Sequence, residues 1–130
     1  MELPIQLEKD SREPIYHQIE QQIKTLIASE YMAAQDPLPS IRTLAKQLEV
    51  SVITTRKVYQ NLEAAGFIYT KQGKGTFVAQ IDKNVKEDIK QLAIYQAFDH
   101  AVDTALHYDY NLTQINGVIQ EILQAKGVIK

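Results

Sequence analysis

Apolar positions along the chain recur first at helical spacing, then at strand spacing, then at helical spacing again. Behind Pro14, residues Ile15, Ile19, Ile23, Leu26 and Ile27 make one apolar stripe, which predicts a helix from about Pro14 to Glu30. Asp36-Pro37-Leu38-Pro39 then breaks the chain. Ser40 precedes Ile41, Leu44, Ala45 and Leu48, and Ser51 precedes Thr55, Val58, Tyr59 and Leu62. Each serine hydroxyl can accept an amide N–H of the first turn, so two short helices are expected, joined at Glu49-Val50. Gly66 stands where a left-handed residue would end the second of them.

The period then changes. Phe67 to Lys71 and Thr76 to Val78 are rich in aromatic and branched residues, with Gln72-Gly73-Lys74-Gly75 between them, which predicts a hairpin with a glycine-rich tip. A charged stretch, Asp82 to Lys90, leads into Val85, Ile89, Leu92, Tyr95, Val102 and Leu106, predicting a long helix from about Asn84 to His107. After a break at Tyr108 to Asn111, Thr113 is the expected cap of a last helix carrying Ile115, Val118, Ile119, Ile122 and Leu123, with Gly127 past its end. The fold class is therefore mainly α with a small β-hairpin. The expected division is residues 1–80 and 81–130.

Composition narrows the function. The net charge of −2 does not announce a nucleic-acid ligand, but its distribution does. Between Asp36 and Gln80 six basic residues (Arg42, Lys46, Arg56, Lys57, Lys71, Lys74) face three acidic ones (Asp36, Glu49, Glu63), a local charge of +3 that leaves −5 elsewhere. The local sign sets the field that a phosphate backbone meets. There is no cysteine, no apolar leader and no stretch long enough to span a membrane, so a cytoplasmic protein is expected.

Gly73-Lys74-Gly75 is a poor phosphate loop. Such a loop needs its glycines between a strand and a helix N-terminus, whereas these lie between two strands, with no GK[ST] or GxGxxG. No nucleophile–base pair or cofactor loop stands out either, so neither an enzyme nor a cofactor is expected. His100, Asp103 and His107 can share one helix face, but three ligands from one helix rarely close around an ion, and no metal site is expected. Two short helices followed by a hairpin do suit a winged helix-turn-helix, with the second helix in the major groove.

Pro14-Ile15-Tyr16-His17-Gln18-Ile19, Leu38-Pro39-Ser40-Ile41-Arg42-Thr43-Leu44-Ala45, Val50-Ser51 and Gly73-Lys74-Gly75-Thr76-Phe77-Val78 occur in an order and spacing that closely resemble the GntR family of bacterial transcription regulators, over about Ile5 to Val78. The short helical tail resembles the YtrA-type branch. The resemblance implies a winged helix-turn-helix followed by a two-helix dimerisation element. It also implies a homodimer on a palindromic double-stranded DNA operator, most simply as a repressor, with a small-molecule effector left open. The implied DNA-facing residues are Arg42 on the first short helix, Ser51, Val52, Ile53, Thr54 and Arg56 on the recognition helix, and Gly73, Lys74, Gly75 and Thr76 at the wing. Ser40 joins them as a cap whose helix N-terminus can face phosphate. The implied dimer contacts are Val85, Ile89, Leu92, Tyr95, Val102, Leu106, Ile115, Val118, Ile119 and Ile122.

Four departures matter. Family members often carry Arg or a polar residue where this chain has Val52 and Ile53. These two could read thymine methyl groups, or could support the competing function, a protein-interaction module that keeps the winged fold without DNA binding. The family's usual loop glycines are replaced at Glu30 and Gln35, so a differently shaped loop is expected there. Glu49 replaces the usual glycine of the helix-turn-helix bend.

Overall fold

The computed structural model of the chain describes residues 2–130. The order is α1 (Ile15–Ala28), α2 (Ile41–Leu48), α3 (Val52–Ala64), β1 (Ile68–Lys71), β2 (Gly75–Val78), α4 (Lys83–His107) and α5 (Leu112–Ala125). It forms two compact units, Met1–Gln91 and Leu92–Lys130. The expected division after Gln80 differs from this boundary because Ile81 and Ile89 pack against the core of the first unit.

That core is built by the predicted faces. Ile19, Ile23 and Ile27 from α1, Leu44 and Leu48 from α2, and Val58, Tyr59 and Leu62 from α3 are buried together, closed by Phe67, Ile68 and Val78 of the hairpin region. α3 packs on both α1 and α2 and touches β1. Gly66 has φ +87, the left-handed conformation expected of it.

The N-terminal strap contributes to the core although its composition is polar. Leu3 and Ile5 are buried, and Leu7 packs beside them. Three glutamine amides hold the strap by copying backbone pairing. Gln47 accepts from the Leu3 N–H (3.4 Å) and donates to the Leu3 carbonyl (2.7 Å). Gln22 does the same at Gln6 (3.0 and 2.7 Å) and Gln18 at Glu8 (2.8 and 2.9 Å).

Asp36-Pro37-Leu38 does more than break the chain. β1 and β2 pair antiparallel from Ile68↔Val78 to Lys71↔Gly75, and residues 35–38 run along the other edge of β2. Gln35 N–H donates to Val78 (2.7 Å), Val78 N–H to Asp36 (2.9 Å) and Leu38 N–H to Thr76 (2.9 Å). No bond is asked of the Pro37 nitrogen, so a proline fits a strand-like segment here.

Glu30, Gln35 and Glu49 have φ of 62°, 74° and 56°. These are the positions where glycine is expected and missing. The backbone holds a glycine-type conformation at each, which for a residue with a Cβ is locally strained.

In the second unit, the chain turns through Asp109 at φ 60 and re-enters a helix at Asn111. The cap of α5 is Asn111, not Thr113. Its side chain accepts from Gln114 N–H, and the Gln114 side chain accepts from Asn111 N–H, a closed capping box. The cap falls on the last residue of the Tyr108 to Asn111 break because Asn111 has Gln114 three residues on to close the box. No residue of α4 or α5 is buried.

Candidate nucleic-acid interface

α2 and α3 begin with the same local device. The Ser40 hydroxyl accepts from Thr43 N–H (3.1 Å) and donates to the Thr43 hydroxyl (2.8 Å). The Ser51 hydroxyl accepts from Thr54 N–H (3.0 Å) and donates to the Thr54 hydroxyl (2.8 Å). Each serine satisfies one first-turn N–H and leaves the others at the helix start for an anion. A threonine that accepts from serine keeps its own O–H proton for an external acceptor.

The burial of α3 separates its two faces. Thr55, Val58, Tyr59 and Leu62 are buried. Ile53, Arg56, Lys57 and Gln60 are exposed and recur at i, i+3, i+4 and i+7, one stripe facing away from the core. Thr55 is a core residue whose hydroxyl donates to the Ser51 carbonyl (3.0 Å). Of the unusual apolar pair, Val52 is half-buried while Ile53 is 77% exposed.

Lys57, absent from the expected contact set, lies on this stripe beside Arg56, with its ammonium 5.9 Å from the Tyr16 ring centre. Its signal was available in the sequence as the position four residues after Ile53, outside the apolar set Thr55, Val58, Tyr59 and Leu62. Arg42, Thr43 and Lys46 are exposed on α2.

The wing is a turn from Lys71 to Lys74, closed by Lys74 N–H donating to the Lys71 carbonyl (2.9 Å). Gly73 has φ +78 and Gly75 φ +120, and a Cβ on Gly73 would meet nothing within 4 Å. Within the chain these glycines serve backbone conformation and not close packing. Lys71, Gln72, Gly73, Lys74 and Gly75 are exposed, while Thr76 is half-buried and its carbonyl holds Leu38 N–H.

Charge follows the same geometry. The ion pairs among the described residues are Glu30–Lys86 and Glu87–Lys90, and Glu13 is hydrogen-bonded to His17. None uses Arg42, Lys46, Arg56, Lys57, Lys71 or Lys74, so these six cations are left for an external anion. Among the described residues no group of His, Asp and Glu is placed to hold a metal, and His100, Asp103 and His107 form no such group.

In the second unit, α4 and α5 enclose an apolar groove of ≈ 630 Å³ lined by Phe98, Val102, Tyr108, Ile115, Ile119 and Ile122, among others. Val85, Leu92, Tyr95, Val102, Leu106, Val118 and Ile122 are exposed apolar residues, and Ile115 and Ile119 are half-buried. Ile89 is half-buried and packs against the core of the first unit. No helix among the described residues is long and apolar enough to cross a membrane.

Known proteins share this arrangement. The family described as "Bacterial regulatory proteins, gntR family" matches residues 15–78, from the first residue of α1 to the last of β2. The HTH-type transcriptional repressor YtrA of Bacillus subtilis is 38% identical over 69% of this chain and 76% of its own length. A solved GntR family transcriptional regulator from Listeria monocytogenes superposes with a TM-score of 0.64 at 30% identity, covering 86% of this chain and 97% of that one. The DNA-binding domain of AraR, solved in complex with operator ORX1, superposes with a TM-score of 0.54 at 29% identity over 61% of this chain and 99% of its own. The chain belongs to the GntR family and is a DNA-binding transcription regulator of the YtrA type, a class of protein that is not enzymatic.

Proposed function

We propose that the chain is a repressor that binds a palindromic operator as a homodimer, in the cytoplasm where bacterial DNA lies. The observation that carries the DNA-contacting half of this reading is the exposed stripe of α3, with its capped N-terminus and cations unused by any internal ion pair. α3 enters the major groove with Ser51, Thr54 and Arg56 toward base edges and phosphates. Ser40 and Arg42 hold the flanking phosphates through the start of α2, and Gly73 to Thr76 bring the wing backbone and Lys74 to the duplex. Repression is supported by the name of the similar Bacillus subtilis protein, HTH-type transcriptional repressor YtrA.

Dimerisation is supported by α4 and α5, which bury none of their residues and leave apolar side chains in water. A second copy that covers them joins two half-site readers, and the gain in effective concentration raises operator affinity. The groove between α4 and α5 is also the place where a small apolar effector would bind.

The test is selection of bound fragments from a genomic library at fixed moderate salt, with the mass of the free protein measured in parallel. A recovered palindrome with half-sites about one helical turn apart, and a mass of two chains, is the expected result. Salt-sensitive binding without an enriched site, or a single-chain mass, contradicts the specific dimeric reading.

A further inference from the structure

We propose that Ile53 reads the C5-methyl group of a thymine in the operator and so fixes an A·T pair in each half-site; this rests on α3 being the helix that enters the major groove. Ile53 is the second residue of α3 and 77% exposed. It shares its stripe with Arg56, Lys57 and Gln60, so the surface that carries the cations also carries one apolar knob, at the end of the helix nearest the Ser51 cap. Val52 beside it is half-buried, which leaves Ile53 as the apolar member that is free to meet a ligand.

The occupant follows from the chemistry of the groove. The thymine methyl is the one apolar feature that the four bases present at their major-groove edges. Isoleucine against it removes apolar surface from water on both sides. Against guanine O6 and N7 or cytosine N4 the same side chain would strip water from a polar atom and return no hydrogen bond. A β-branched side chain in a helix is confined to essentially one χ1 rotamer, so the knob loses little freedom on docking.

The test uses the operator recovered above. Each thymine is replaced singly by deoxyuridine, which lacks only the methyl, and affinity is read by anisotropy at fixed salt for the wild type and Ile53→Ala. In the wild type one thymine per half-site should lose ~3–5-fold, the effect of one methyl. In Ile53→Ala, binding to the thymine operator should fall and that deoxyuridine effect should vanish, while the melting temperature stays unchanged because the residue is exposed. A deoxyuridine loss that persists in Ile53→Ala assigns the methyl to another side chain and overturns the proposal. Unchanged DNA affinity in Ile53→Ala with an altered oligomeric mass makes Ile53 a protein contact and also overturns it. Failure of the wild type to bind any duplex overturns the DNA-contacting role of α3 itself, which is a distinguishable result.

Discussion

The Tyr59 hydroxyl of α3 donates to the Pro39 carbonyl 2.6 Å away, one residue before the serine that caps α2. A core side chain of α3 thereby ties down the residue before the cap of α2. Tyr59→Phe removes this bond from a nearly buried site and should destabilise the chain by ~1–2 kcal/mol, read from urea unfolding. Operator affinity should fall less than stability does, because no DNA-facing side chain is changed.

Burial pushes the Tyr59 phenol well above its ordinary value near 10. The unfolded chain therefore loses this proton at lower pH than the folded chain. Tyr59 contributes its full stability below the unfolded pKa of about 10, and that contribution declines as pH rises above it. Unfolding midpoints measured from pH 9 upward should fall, and Tyr59→Phe should show a shallower fall than the wild type.

Arg56 and Lys74 are both exposed and outside every internal ion pair, yet they should fail differently. Arg56→Ala should weaken operator binding by ~1–3 kcal/mol and binding to random duplex much less, as a base contact does. Lys74→Ala should weaken both about equally and reduce the salt slope by ~1. Equal losses for Arg56→Ala on operator and random DNA would remove it from base reading.

The strap offers a stability test remote from DNA. Leu3 is 2% exposed and clamped through both backbone groups by Gln47. Leu3→Ala should cost ~2–3 kcal/mol, and Gln47→Ala ~1–2 kcal/mol through its two lost bonds. Wild-type unfolding midpoints for both variants would mean that the strap is not part of the cooperative core.

Glu49 turns the chain between α2 and α3 at φ 56. Relief of left-handed strain, about 1–2 kcal/mol, exceeds the extra freedom glycine gives the unfolded chain, about 0.4–1 kcal/mol. Glu49→Gly should therefore raise the melting temperature slightly, by less than ~1 kcal/mol in stability, and Glu49→Val should lower it.

Helix and hairpin identity was legible in the residues themselves. The stripes of α1 to α3, the caps Ser40 and Ser51, and Gly66 and Gly73 at positive φ are local matters of spacing and backbone chemistry, and sequence carries those directly. The ordered motifs also identified the family. What needed tertiary structure depends on partners distant in the chain. Leu3 lies in the core with its backbone paired to Gln47, 44 residues away. Residues 36–39 read as a break, yet residues 35–38 border β2, since the unpaired edge of a hairpin can be found only after the hairpin exists. That Ile89 packs against the first unit's core is likewise set by residues distant in the chain. Val52 and Ile53 read as one apolar pair, and packing separates them: it half-buries Val52, which lies three and seven residues before the buried Thr55 and Tyr59, and leaves Ile53, about 100° further round the helix, in water.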